Sequence, residues 1–305
     1  MMIPEKVILY RWGGLGDVCM ALCAAHALYQ LGHRVHLVTH PDYHELARAC
    51  PHVTAVSATL PNPRLGWSWM ADLNAAFYGQ ANMHQVDAYL SGVGITNYWE
   101  VPASAKTLVL RRSHRVSVPM DRKLALLHAA TGDRNRTWDG WAELASRLLD
   151  LGLHVACVGA TTRDGRGAAC FDGCWDLRDK LPHLGFVDLC KSASLLISTD
   201  SGPVQLAGAT HIPILGLYTV VDGRYRLPFR DPTCRSVAVQ ASCLCSPCYR
   251  DMDTPAGQIA LRQAIVEKGA KRAFGDWCPA GNGYQCGITV DAVYDAALEL
   301  LKEKR

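Results

Sequence analysis

The sequence predicts an α/β protein made of two parallel-sheet units, and three observations carry that reading. The chain has 305 residues, enough for two domains of ordinary size, each with a buried core. An apolar strand, a glycine-rich turn and an apolar helical stretch open the sequence, and the same alternation restarts after residue 120. No fixed-period repeat or low-complexity tract interrupts either series, which sets solenoids aside.

In the first series, the apolar run Lys6 to Tyr10 reads as a strand. The turn Gly13-Gly14-Leu15-Gly16-Asp17 follows, and a helix runs from Val18 to Leu31 with Gly32 closing it. Val35 to Thr39 is the next strand, and strand, helix and strand within so short a span imply a parallel pair with a right-handed crossover. From Pro51 to Trp69, four Pro and Gly residues predict weak strand and loop. The second series predicts a strand from Lys123 to His128, a polar loop from Thr131 to Thr137, a helix from Trp138 to Leu151 and a strand from His154 to Gly159. A helix from Phe186 to Ala193, a strand from Leu195 to Ser198, a helix from Val204 to Thr210 and a strand from Ile214 to Tyr218 complete it. The basic, polar segment Arg111 to Arg115 with Pro119 suits a linker, so the domains are predicted as 1–120 and 121–305.

Composition narrows the function. Hydrophobic residues are 49% and charged residues 19%, the balance of a globular chain, and no apolar run reaches the roughly 18 residues that a bilayer span requires. The N-terminus lacks the pattern of a secretory signal, so the chain is expected in the cytoplasm. A formal net charge of +3 gives no strong footprint for nucleic acid, though it does not forbid that partner. Arg111 to Arg115 and Lys268 to Arg272 read as solvated charge, and would be the first contacts with a nucleic-acid acceptor. His33, His36, His40 and His44 crowd one strand and its flanks but share no common face, which favours ordinary structural positions over a metal site.

Three segments carry chemistry. The Gly14 and Gly16 turn lacks the G-x-G-x-x-G spacing, and no acid ends the next strand to hold a ribose, which argues against a dinucleotide site. It sets Asp17 at the carboxyl end of a first strand, where open α/β sheets bind ligands. Asp17 is therefore either a general base or a helix cap. In Asp200-Ser201-Gly202-Pro203, Gly202 permits close backbone approach and Pro203 suits a first helical turn, which makes an anion site for a phosphate or diphosphate. The competing reading makes Asp200 or Ser201 only an N-cap. Arg134 and Arg136 stand after the strand ending at His128, either to neutralise a leaving phosphate or as a solvated loop.

Thirteen cysteines are many for a reducing compartment. Cys245 and Cys248 form a CxxC knuckle, and Cys278 and Cys286, returning after a helix-like stretch at 257–268, are expected to close a four-sulfur structural metal site, with Cys243 spare. Zn²⁺ is the first choice, iron has the same ligand set, and free thiols or a disulfide are the metal-free alternatives.

The order GGLGD, HAATGDRNRTWDGWAELASRLLDLGLHVACVGA, LLISTDSGPVQLAGATHIPILGLYTVVDGRYR and CSPC…CPAGNGYQC resembles the ADP-heptose:lipopolysaccharide heptosyltransferase family, glycosyltransferase family 9. The likeness is nearly continuous in the second half and strongest in STDSGP; in the first half it lies mainly in the first fifty residues. It implies the GT-B architecture: two Rossmann-like domains facing across a cleft, here with a C-terminal cysteine-rich insertion, since relatives carry similar cysteine patterns with a shorter gap. It implies that Asp17 is the catalytic base, that the 134–138 loop contacts phosphate and sugar, and that Ser201 to Pro203 cradle the diphosphate. It further implies an inverting reaction without a catalytic divalent metal, from a nucleotide-diphosphate sugar, ADP-heptose by family, to a hydroxyl of a glycan, protein or other polymer. Gln205 stands where the family carries His, Arg134 or Arg136 where it carries Lys, and the first domain looks short, which leaves the acceptor open. Two other readings compete: a nucleotide-sugar epimerase, and a metal-finger protein binding nucleic acid or protein on an inactive scaffold.

Overall fold

The computed structural model describes residues 4–302 apart from 63–65, 67–68, 78–82, 112–115, 117–120, 162–169 and most of 249–285, of which 259, 262, 263, 266, 267 and 278 are described. The first sheet contains β1 (Lys6–Tyr10), β2 (Arg34–Val38), β3 (Val53–Ser57) and β4 (Trp69–Asp72) in the order β3-β2-β1-β4, all parallel. The helices of this half are α1 (Leu15–Gln30), α2 (His44–Ala49) and α3 (Gln85–Val93). The second sheet runs β10-β9-β8-β5-β6-β7, again all parallel. Its strands are β5 (Leu124–His128), β6 (His154–Cys157), β7 (Trp175–Asp176), β8 (Leu195–Thr199), β9 (Ile214–Tyr218) and β10 (Ser236–Gln240). Around it lie α4 (Trp141–Asp150), α5 (His183–Ser192), α6 (Gly202–Ala207) and α7 (Val290–Leu301).

Burial explains the sequence pattern. Strands β5, β8 and β9 are buried along their whole length, as parallel strands covered on both faces must be, and so they read as unbroken apolar runs. Helix α1 is buried on every side from Val18 to Leu28, because it lies between its own sheet, α3 and α6. Its alanines let those neighbours close in, while Val18, Leu22 and Leu28 each contribute about 1.5–3 kcal/mol by leaving water. One apolar core therefore runs from Val7 and Leu9 through α1 to Leu124, Leu126 and Leu196. The two sheets, expected to belong to two facing domains, share this core.

Several element ends differ from the sequence expectation. Helix α1 starts at Leu15 rather than Val18, because Gly14 is its N-cap and Asp17 sits inside the first turn. Gly32, at φ +89°, lies just past its end. Helix α4 starts at Trp141 rather than Trp138, since Arg134–Arg136 form a separate 3₁₀ turn. Helix α6 covers only Gly202–Ala207, not 204–210, because Pro203 fits its first turn. In the stretch expected to be weak strand and loop, Val53 to Ser57 pair regularly with β2, past one register shift. The expected linker at 111–120 and the basic run at 268–272 lie almost entirely outside the described residues, and of the helix-like stretch at 257–268 the described residues 259, 262, 263, 266 and 267 are helical.

Candidate functional site

Each sheet has one place where the chain reverses its direction of growth. In the first, strands are added outward from β1 to β3 before the chain returns to β4 on the far side of β1. In the second, β5 to β7 grow one way, and β8 to β10 the other from the opposite side of β5. Loops after such adjacent strands diverge and leave a crevice at the carboxyl ends. Asp17 follows the first switch point, while His128, Thr199 and Asp200 stand at the second.

The two crevices are brought together by glycine. A Cβ on Gly16 would lie 3.3 Å from the Gly202 Cα, and a Cβ on Gly202 would lie 2.7 Å from the Leu15 Cβ. Bare backbone at both positions lets the first turns of α1 and α6 touch. The sequence reading gave Gly202 to ligand approach; its immediate structural use is this packing.

On the α1 side, Asp17 Oδ1 pairs with Arg11 at 2.8 Å and Oδ2 accepts the Gly14 amide at 3.0 Å. Asp17 is thus the third residue of the helix, reaching back to its N-cap as in a capping box, and its side chain is still 30% exposed. Capping and exposure to the site coexist. Gly13 is required here, since a Cβ would sit 2.7 Å from Asp17 Oδ2. Arg11 also donates to Asn74 Oδ1 at 2.6 Å. Tyr89 lies under this group, fully buried, its hydroxyl pushed to a higher pKa by burial and by the Asp17 charge.

On the α6 side, the Arg136 guanidinium meets Asp200 through the carbonyl at 3.1 Å and the carboxylate at 3.4 Å. Of the two candidate arginines, it is therefore Arg136 that reaches the turn. Arg226, missed at the sequence level, is surrounded by Asp200, Arg136, Tyr89 and Asp17; burial pulls its guanidinium below the ordinary value while the two carboxylates oppose that shift. It links the two halves of the site. Ser201 occupies the N-cap position without a capping hydrogen bond from its side chain; its hydroxyl instead contacts His128 Nδ1 at 3.1 Å and donates to the Thr199 carbonyl at 3.0 Å. The buried hydroxyls of Thr199 and Tyr218 have no hydrogen-bond partner among the described residues. The Gln205 side-chain amide donates to the Arg226 carbonyl and so fixes that loop.

Beside α6 opens a cavity of about 320 Å³. It is lined by backbone and side chains at the ends of β5 and β6, by Leu177, Asp179 and Leu181, by Phe186 of α5, and by Leu15 and Tyr43 from the first half. Asp179 holds φ at +55°, where side chains are rarely found. Its carboxylate accepts the Thr161 amide and hydroxyl, which keeps it below the usual carboxylate range.

Among the five C-terminal cysteines, Cys245 and Cys243 sulfurs are 3.6 Å apart. Burial pushes Cys248 and Cys286 up to about 12, and each is raised further by the other C-terminal thiols. The sulfurs of Cys243, Cys245, Cys248, Cys278 and Cys286 are therefore neighbours, although among the described residues no set of three or more ligand side chains is already arranged around a common point. The segment between Cys248 and Cys278, expected to be an insertion, lies mostly outside the described residues. The four clustered histidines instead have separate partners: His33 the Pro4 carbonyl, His36 the Ser57 hydroxyl, His40 the Asp42 amide and His44 the Thr39 carbonyl.

Comparison with solved structures gives the same architecture. The dodecameric iron-containing heptosyltransferase TibC of E. coli, described in complex with ADP-D-beta-D-heptose, superposes with a TM-score of 0.72 at 19% identity, over 98% of this chain and 76% of that one. The E. coli ADP-heptose lipopolysaccharide heptosyltransferase II superposes with a TM-score of 0.65 at 14% identity, over 97% of this chain and 98% of that one. Among curated proteins, the autotransporter heptosyltransferase Aah of Escherichia coli is 28% identical over 140 residues, 44% of this chain and 34% of that protein. The autotransporter heptosyltransferase BAHTCr of Citrobacter rodentium is 24% identical over 202 residues, 62% of this chain and 46% of that protein. The matches thus take in between about a third and a half of these curated relatives. No helix among the described residues is long and apolar enough to cross a membrane. The model of glycosyltransferase family 9, the heptosyltransferases, matches residues 83–254, more than half of the chain, and the protein belongs to that family.

Proposed function

We propose that the protein is an inverting glycosyltransferase that moves heptose from ADP-heptose to a hydroxyl of a glycan, protein or other polymer. The observation that carries this reading is the meeting of two switch-point crevices through Gly16 and Gly202, which sets a carboxylate opposite a cationic turn. Asp17 takes the proton of the acceptor hydroxyl as its oxygen bonds to the anomeric carbon. The bond from that carbon to the diphosphate breaks, and the diphosphate leaves with the electron pair. Arg136 and Arg226, with the backbone of Ser201 to Pro203, meet the departing charge. A six-residue helix supplies little dipole of its own, so the arginines carry most of this role. The nucleoside occupies the cavity beside α6, residues 121–305 forming the donor half and residues 1–120 the acceptor half. No catalytic divalent metal takes part.

Arg136, in contact with Asp200, is the arginine proposed to meet the diphosphate, and Arg134 precedes it on the same 3₁₀ turn. Asp200 orients Arg136, and Gln205 acts through the Arg226 loop. The thiols of Cys245, Cys248, Cys278 and Cys286 would supply four soft ligands to a structural metal. The iron-containing relative favours iron over zinc. Bound there, the metal would tie the C-terminal segment to β9, since Cys248 lies against the Thr219 carbonyl. The expected compartment is the cytoplasm, where all thirteen cysteines, unpaired in the structure, remain thiols or metal ligands.

A thermal-shift screen across nucleoside diphosphates and nucleotide sugars tests the reading. Ligands that bind only the folded state raise the melting temperature, so ADP and ADP-heptose should raise it most. A flat response to every nucleotide would leave the scaffold without its donor.

A further inference from the structure

We propose that His128 is a specificity residue for the donor, its Nε2 accepting a hydrogen bond from a hydroxyl of the nucleotide's ribose. This inference rests on the donor reading above and adds a residue that the sequence reading passed over.

His128 ends β5 at the second switch point and is 5% exposed. Its Nδ1 lies 3.2 Å from the Ser198 hydroxyl and 3.1 Å from the Ser201 hydroxyl. Both hydroxyls also stand at bonding distance from the Thr199 carbonyl, Ser198 at 2.8 Å and Ser201 at 3.0 Å. The two hydroxyls also lie 3.1 Å from each other; we assign both of their protons to the Thr199 carbonyl, which can only accept, so that their oxygens turn lone pairs toward the imidazole. Nδ1 therefore carries the ring proton. Burial lowers the imidazole's pKa to about 4, so the ring is neutral near pH 7 and Nε2 is a bare acceptor.

That acceptor has no hydrogen bond among the described residues, and the ring lines the cavity. Its outer edge lies against Gly159, where a Cβ would stand 2.5 Å from Nε2 and where φ is +100°; glycine at this position leaves the edge uncovered. Leu15, Val158, Phe186 and Leu206 make much of the cavity wall apolar, and its polar members Tyr43, Asp179 and His183 make no hydrogen bond to Nε2 among the described residues, which leaves the lone pair to a ligand or water. The Nδ1 side of the same ring is fastened to Ser201, the residue that begins the diphosphate turn. In a nucleotide the group next to the diphosphate is the ribose, which offers hydroxyl donors, while the base extends farther toward Leu177, Leu181 and Asp179. One imidazole thus spans the distance from the anion turn to the sugar.

Calorimetric titration with ADP, 2′-deoxy-ADP and 3′-deoxy-ADP tests the assignment on the wild type and on His128→Phe. The wild type should bind ADP and lose about tenfold or more with one deoxy analogue. His128→Phe should bind the same pair within about twofold of each other. Wild-type affinities within twofold for all three nucleotides would overturn the assignment, as would undiminished discrimination by His128→Phe. Should that variant fail to fold, the wild-type comparison decides alone. Absence of ADP binding by the wild type would overturn the donor reading and this inference together, whereas ADP binding without ribose discrimination would overturn only the inference.

Discussion

The first turns of α1 and α6 are built alike, glycine-rich and following a buried strand at a switch point, yet they are finished in opposite ways. The α1 turn supplies its own anion: both Asp17 oxygens are engaged, one by Arg11 and one by the Gly14 amide. The α6 turn supplies none to its amides. Ser201 gives its hydroxyl to Thr199, Asp200 turns to Arg136, and the hydroxyls of Thr199 and Tyr218 have no partner among the described residues. A turn that satisfies itself can present a fixed carboxylate, while one left unsatisfied invites a charged ligand. The difference is what the proposed division rests on, with chemistry in one half and ligand binding in the other.

The largest expected effect tests the α1 half. Asp17→Asn should lower turnover by roughly 100-fold or more while leaving ADP affinity near that of wild type, because an amide cannot take the acceptor proton. Steady-state rates beside a titration check this, and transfer at the wild-type rate would remove Asp17 from the mechanism. Next comes the joint between the halves. Gly202→Val forces a side chain into Leu15 and should cost about 1–3 kcal/mol of stability even without nucleotide, read as a lower melting temperature. If Gly202 served ligand approach alone, affinity would fall with the melting temperature unchanged.

Smaller effects separate the arginines. Arg136→Ala should weaken ADP binding by about tenfold or more through loss of a charge-assisted contact, whereas Arg134→Ala should change it by less than about threefold. Equal losses in titration would return the two residues to the undecided state in which the sequence alone leaves them. A milder, graded effect concerns pH. His84 caps α3 by accepting the Val86 amide at 3.2 Å and donates to the Leu227 carbonyl at 2.9 Å, so it ties the two halves together as a neutral ring. Burial holds it at about 4, below the ordinary histidine value near 6.5. The unfolded chain therefore binds the proton first, and this stability is present above about pH 6.5 and lost as pH falls toward 4. Urea midpoints should decline over that window, and His84→Gln should flatten the decline; a variant with the wild-type slope would contradict the role.

How much of this the sequence carried depends on whether a feature is local. Ile214 to Tyr218 is legible to the residue, because a parallel strand covered on both faces is an unbroken apolar run. Asp17 and the Asp200 to Pro203 turn are legible because strand, small-residue turn and helix follow one another directly. The start of α1 is misjudged by three residues, since glycine as an N-cap gives no polar signal. Arg11, Tyr89, Tyr218 and Arg226 come from four separate elements, and no spacing announces that they share one site. His128 did leave a trace: a histidine closing a buried apolar strand at a switch point marks a crevice. The contact between Gly16 and Gly202 joins positions far apart in sequence, and only packing reveals it.

The central claim is that the α6 turn, with Arg136 and Arg226, holds the diphosphate of a nucleotide donor. Titration of the wild-type protein with ADP, AMP and adenosine, with divalent metal chelated, tests it most directly. Affinity should rise at least tenfold from AMP to ADP and should not need added metal. Equal affinities for ADP and adenosine would contradict the claim.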